Sequence, residues 1–304
     1  MKIHRRFSRF ATSGVVVSAL FLNVTPILTL EAYASEANGV SAIHTDARLT
    51  ALVPDVYRSK QTLTVAVNPE IAPIKFVNDD GDIAGFTPDL LSAAAKVLGL
   101  NVNFVQSSFD ALIPGLSARR YDVLLSLGDF PARHSKVTFI DYLNVGQTIV
   151  GAPKRGLVVK SLSDLCGLKV AIPRATAQAE KANEVSSKCV ADGKKAISVA
   201  TYPDTNMTLL ALTNDSSEAA WVDSPAAGYN TQKFPEKYQA AYFYYNGSYG
   251  VGFSADENGN RLAAAFQQAL LKLQQDGTYD KLLKKWGLPT KDGRPTFPIN
   301  DPMK

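Results

Sequence analysis

Twice along this chain the same alternation appears: a short apolar run of period two, a longer run at helical spacing, and another short apolar run. Residues 62–67 alternate polar and apolar as a strand does. A strand-like piece over 74–77 follows, then a helical run over 87–98 stopped by Gly99, a strand over 101–105, a helix over 109–118 and a strand over 121–126. The order restarts with a strand over 168–172, a helix over 176–191, a strand over 196–201, a helix over 205–213, and a strand over 219–222 that ends at Asp223. Strand–helix–strand order predicts parallel strands with helices on the faces of the sheet, because parallel neighbours need a long crossover. Two such units predict an α/β protein of two lobes, the first ending near residue 148 and the second near 246. The tail adds a strand over 250–253 and a helical region over 260–286, which is expected to return to the first lobe. Ligands of open α/β sheets sit beyond the carboxyl ends of the strands. Two units facing each other therefore predict a cleft with a hinge.

The first 34 residues stand apart. Lys2, Arg5, Arg6 and Arg9 make a basic start, a mostly apolar run covers 11–30, and Ala32-Tyr33-Ala34 fits a cleavage box. This is the pattern of a secretory signal peptide, so the rest of the chain is expected outside the cytoplasm. The leader holds four basic residues and one acid. Removing these from totals of 32 and 28 leaves 28 against 27, a nearly neutral remainder that offers nucleic acid nothing. No later stretch is apolar for long enough to span a bilayer. The segment 35–60 reads as a polar extension with a short helical piece over 48–57. In an oxidising compartment the two cysteines, Cys166 and Cys189, are expected to pair. The disulfide would close a loop of roughly 24 residues, worth roughly 3 kcal/mol in the chain-entropy model; two buried thiols are the alternative. Beyond the leader only His44 and His134 remain, and no histidine–cysteine cluster predicts a metal. There is no nucleophile elbow and no phosphate loop, and no cofactor is expected.

The stretch Gly85-Phe86-Thr87-Pro88-Asp89-Leu90 follows an acidic turn and opens the first long helix. Thr87 suits the N-cap, Pro88 the first helical position and Asp89 the first turn. Further on come Phe109-Asp110-Ala111-Leu112-Ile113-Pro114-Gly115-Leu116, Tyr121-Asp122-Val123, Arg133 before Phe139-Ile140-Asp141-Tyr142, Leu165-Cys166-Gly167-Leu168-Lys169-Val170-Ala171, and Gln275-Asp276-Gly277-Thr278-Tyr279 with Trp286. In this order, over about 63–287, these elements resemble the family 3 solute-binding proteins of bacterial amino-acid uptake, which have the type II periplasmic-binding-protein fold. The resemblance implies a first lobe of 61–148 plus 247–304, a second lobe of 149–246, and two hinge crossings. It makes Asp89 a structural residue at a helix start.

The resemblance also implies a ligand site. Arg133 lies seven residues after Ser126, past the end of a strand, and matches the clamp for an α-carboxylate, which suits a guanidinium. Ser126 and Gly128 match positions that bind the ligand through hydroxyl and backbone groups; Gly128 lacks the usual hydroxyl, so its N–H would serve. Thr176 and Ala177 open a second-lobe helix whose N-terminus would meet the carboxylate from the other side, although Ala175 stands where the family has Gly. Thr176 acting only as an N-cap stays open. Asp223 matches the acid that binds the α-ammonium, and it could also cap the next helix. Phe109 matches an aromatic wall or belongs to the core. Asn68 stands where relatives that bind dibasic amino acids carry an acid, and Ile71 where an aromatic often stacks. A neutral or polar ligand is therefore expected over a dibasic one, with Glu70 able to restore the missing charge.

The function implied is capture of a free amino acid in the periplasm and delivery to a membrane ABC permease, by a monomer without catalytic residues. Two alternatives stay open. One is a dehydratase of the cyclohexadienyl type on the same fold, which needs a general acid in the cleft, with Glu180 the nearest candidate. The other is a secreted ligand-sensing domain.

Overall fold

The computed structural model describes residues 43–301, so the expected leader and its cleavage box lie outside the described residues. Two short helices, α1 (Ala47–Thr50) and α2 (Asp55–Arg58), replace the single piece expected over 48–57. Pro54, lacking an N–H, separates them.

The strand–helix alternation is realised nearly as read. β1 (Thr62–Val67) pairs in parallel with β5 (Asn101–Gln106), Thr62 opposite Asn101 and Val67 opposite Gln106. Between them lie a small antiparallel sheet of β2 (Glu70–Ile71), β3 (Lys75–Val77) and β4 (Ile83–Ala84), then α3 (Phe86–Val97). A turn over Phe109–Ala111 leads into α4 (Leu112–Ser117), and β6 (Val123–Gly128) returns parallel to β1. The second set comprises β8 (Lys169–Pro173), α5 (Ala177–Ala191), β9 (Ser198–Tyr202), α6 (Thr205–Thr213) and β10 (Ala219–Asp223), with β8 parallel to both β9 and β10. The helix α7 (Ser224–Lys233) follows.

Two long strands join the sets, and periodicity did not reveal them. β7 (Val137–Gly151) and β11 (Gln239–Ser254) run antiparallel along nearly their full length, giving one sheet in the order β5-β1-β6-β11-β7-β10-β8-β9. Every residue of β7 except Asn144 is buried, so the strand shows no alternation. Only 250–253 of β11 was expected. Its first half is half-exposed, and Gly247, Gly250 and Gly252 with three shifts of register weaken the strand signal. The apolar core divides along these strands. Phe139 to Val145 of β7 pack with the β1–β6 set, and Ile149 and Val150 with the β8–β10 set. Tyr249 to Phe253 of β11 belong to the first core, while Tyr242 and Tyr244 flank the second.

The start of α3 corrects one expectation. Gly85, not Thr87, is the N-cap, at φ +130°. A Cβ there would sit 2.5 Å from the Ile74 carbonyl oxygen, so only glycine fits. Thr87 is buried inside the helix and donates its hydroxyl to Tyr142 Oη at 2.9 Å; Tyr142 in turn donates to Ser126 Oγ at 2.8 Å. Asp89 accepts from the Trp286 indole and the Lys285 ammonium, each at 2.8 Å, and so ties α3 to the C-terminal region. That region is two helices, α8 (Glu257–Gln275) and α9 (Thr278–Lys285), broken by Gly277 at φ +77°. Cys166 and Cys189 form the disulfide, which fastens α5 to the turn before β8, with Cα atoms 5.7 Å apart.

Candidate functional site

One cavity lies where β1, β6, β8 and β10 end, as expected of an open α/β sheet. It is lined by all nine residues singled out from the sequence: Asn68, Ile71, Phe109, Ser126, Gly128, Arg133, Thr176, Ala177 and Asp223. Each follows from local structure. Asn68 is the first residue past β1, Ser126 and Gly128 close β6, Thr176 precedes α5, and Asp223 ends β10.

Arg133 is held as a rigid cation. Its Nη1 donates to the Gly128 carbonyl at 2.7 Å, and its guanidinium lies 5.6 Å from the Phe109 ring centre and 5.1 Å from that of Phe130. Phe109 thus both lines the cavity and steadies the arginine. Burial pushes the guanidinium pKa below its ordinary value, against the opposing pull of Glu180, Asp223 and Asp129. A Cβ on Gly128 would meet the edge of the Phe130 ring at 2.5 Å, so a side chain there would require that ring to move. Ser126 sits in the left-handed region at φ +54°, rare for a residue with a Cβ. Tyr142 anchors its hydroxyl, and the buried Lys75 ammonium donates to its carbonyl at 3.0 Å.

Behind Arg133 lies a buried acid pair. Asp129 accepts from His134, and Asp141 pairs with Arg294 at 3.4 Å. Burial, then the neighbouring Asp129 charge, pushes the Asp141 carboxyl up to about 8.

Across the cavity, Thr176 is the N-cap of α5 and its Oγ1 also donates to the Pro173 carbonyl at 2.7 Å, so the capping role is realised while the residue faces the cavity. Ala177 and Gln178 begin the helix, and their N–H groups have no acceptor within it. Ala175 adopts φ +58°, the conformation for which glycine is favoured. Asp223 does not cap α7 with its side chain. Its carboxylate accepts instead from Tyr249 Oη and Gln178 Nε2, and burial pushes its pKa up. Glu70 is not among the lining residues. Burial, then the Asp204 charge, raises its carboxyl pKa, against smaller lowering effects of Lys75, the Thr205 backbone and the Asn68 side chain. Arg174 pairs with Asp110 at 3.3 Å, from the β8 side to the β6 side. Glu180 is exposed on the first turn of α5 and lies outside the lining, where Asp223 is the one acid among the described residues.

Sequence reasoning missed Lys75, Gln147, Gln178 and Tyr249. Gln147 accepts from the Trp221 indole at 2.7 Å and the Tyr244 hydroxyl at 2.6 Å inside the long strands, and it lines the cavity. Only the pairing of β7 with β11 and β10 brings it there, so no local pattern could have marked it. Lys75 carried a signal: a lone lysine in an apolar run between Ile74 and Phe76.

The chain matches the family model described as bacterial extracellular solute-binding proteins, family 3, over residues 63–289. An arginine-binding protein of Corynebacterium glutamicum is 28% identical over 243 residues, covering 79% of each chain. The lysine/arginine/ornithine-binding periplasmic protein of Escherichia coli is 30% identical, covering 74% of this chain and 87% of that one. The crystal structure of an ancestral amino acid-binding protein, a precursor of cyclohexadienyl dehydratase, superposes with a TM-score of 0.66 at 28% identity, covering 78% of this chain and 99% of that one. With the two-lobed α/β fold, the cavity at the strand ends and a family match over most of its length, this chain belongs to the family 3 bacterial extracellular solute-binding proteins.

Proposed function

We propose that this protein captures a free amino acid in the cleft between its lobes, in the periplasm, and presents it to an ABC permease. The observation that carries the reading is the placing of Arg133 and Asp223 on opposite walls of one cavity. A zwitterion offers a carboxylate to the first and an ammonium to the second, and both protein groups are partly withdrawn from water. The N–H groups at the start of α5 and that of Gly128 add donors to the carboxylate.

The two lobes are 61–148 with 247–304, and 149–246, hinged where β7 passes from one core to the other between Val145 and Ile149 and β11 between Tyr244 and Tyr249. The first lobe binds first, through Arg133. The second closes with Asp223 and α5, and the Arg174–Asp110 pair bridges the closed form. Ligand binding shifts the population toward that form, which the permease recognises. The ligand is neutral or polar rather than dibasic, because Asn68 and Ile71 supply neither an acid nor an aromatic face.

A thermal-shift screen of protein refolded without ligand tests this, with amino acids, small organic acids, prephenate and arogenate as probes. One amino acid raising the melting temperature at micromolar concentration is expected, and Arg133→Ala should weaken its binding more than tenfold. An unchanged dissociation constant in that variant would refute the site. Stabilisation only by prephenate or arogenate, with turnover, would replace the reading by a dehydratase.

A further inference from the structure

Lys75 is 0% exposed, and its position is unusual for an ammonium. It rises from β3 beneath the first-lobe wall of the cleft. Its three protons meet three acceptors: the Asn68 Oδ1, the Leu125 carbonyl at 3.4 Å and the Ser126 carbonyl at 3.0 Å. No proton is left for a ligand, so Lys75 acts through Asn68. An ammonium has donors only, and it therefore fixes which end of the amide it touches. With Oδ1 held from below, the Nδ2 protons of Asn68 are the ones turned away from Lys75, toward Glu70 and the cleft.

The charges point the same way. Arg133 and Asp223 are matched by the two ends of a zwitterion, which leaves the charge of Lys75 behind the side-chain end of the cleft. Glu70, the strongest opposing charge on Lys75, lies outside the cavity lining, and burial and Asp204 raise its carboxyl so that its own charge is disfavoured. A cationic ligand side chain laid on Asn68 would meet amide donors backed by a like charge, with Ile71 giving it no aromatic face.

Resting on the amino-acid-capture reading, we infer that Lys75 is a positioning residue that sets the ligand class: it turns the Asn68 amide donors to the cleft, so the site takes amino acids whose side chains end in a hydrogen-bond acceptor, an amide or a carboxylate. The same geometry predicts that an acid at position 68 does not by itself create a dibasic site, because the Lys75 ammonium would neutralise it.

Calorimetric titration at pH 6, where Lys75 holds its proton, of refolded protein with glutamine, asparagine, glutamate, aspartate, lysine, arginine, ornithine, leucine and alanine tests this, on wild type, Asn68→Asp, and Asn68→Asp with Lys75→Met. In wild type an acceptor-bearing amino acid should bind at least tenfold tighter than lysine or arginine. Asn68→Asp should gain little for the dibasic ligands, and the double variant should gain at least tenfold over it. Wild-type preference for lysine, arginine or ornithine would overturn the inference, as would a gain in Asn68→Asp equal to that of the double variant. Preference for leucine or alanine would overturn it while leaving amino-acid capture standing. Binding of no amino acid would overturn both. The wild-type panel decides the matter even if a variant fails to fold.

Discussion

Replacing Lys75 by Met gives a stability test that needs no ligand. Burial pushes the ammonium from its ordinary 10.5 down to about 7; Glu70 and Asp223 oppose this and Arg133 adds to it. Between pH 7 and 10.5 the unfolded chain holds the proton and the folded chain does not. The unfolded state then binds more protons, so stability rises with pH across this window. Below pH 7 both states are protonated and the fold bears the whole cost of the buried charge. At about 1.4 kcal/mol per pH unit, the gap between 7 and 10.5 corresponds to about 5 kcal/mol. Methionine is of similar length, does not titrate, and leaves the other titrating groups in place. The stability of wild type minus that of Lys75→Met should therefore grow by about 3 kcal/mol from pH 6 to pH 9. Urea unfolding at a series of pH values, disulfide intact, measures it through midpoints and slopes. A flat difference would show that the three carbonyl acceptors outweigh desolvation and that Lys75 stays charged throughout. The account of its depressed pKa would then be wrong.

Replacing Cys166 and Cys189 by Ser should cost about 3 kcal/mol, since the pair closes a loop of 23-residue separation. That corresponds to a fall of roughly 6 to 12 °C in melting temperature for a chain of this size, and a change within error would count against it. Denatured, unreduced protein should show no reactive thiol. Asp141 has the opposite sign to Lys75. Its carboxyl is raised from 3.8 to about 8, so the folded state holds the extra proton and loses stability as pH rises through that window. Asp141→Asn should become progressively more stable than wild type from pH 4 to pH 8, and thermal melts showing no trend would refute the assignment.

Much of the architecture was legible because it is written locally. The period-two runs, helical spacings and helix stops placed β1, β5, α5 and α6 within a residue or two. Arg133, Asp223 and Thr176 could be picked out because each matches a position marked by the family resemblance and lies past a strand, at its end or before a helix. The pairing of Cys166 with Cys189 followed from their number and compartment. The long strands were illegible for the reason that makes them a hinge. β7 is buried on both faces, so no alternation survives. β11 is interrupted by glycines and bulges that let it twist from one core to the other. Thr87 misled because its hydroxyl had a better use inside the fold, in the chain to Tyr142 and Ser126, than at a helix end.

The sequence by itself determined two strand–helix units, with an arginine and an aspartate at or past the strand ends. Local propensity, periodicity and residue type suffice for that, since they depend on neighbours within a few positions. Tertiary structure alone decided what those residues face. It set Arg133 between Phe109 and Phe130, tied the Asp223 carboxylate to Tyr249 and Gln178 instead of the start of α7, left Glu70 outside the cavity lining, and buried the Lys75 ammonium on Asn68. Each depends on groups tens to more than a hundred residues away or on the removal of water. Neither the partner of a charge nor its desolvation is encoded in its immediate neighbours.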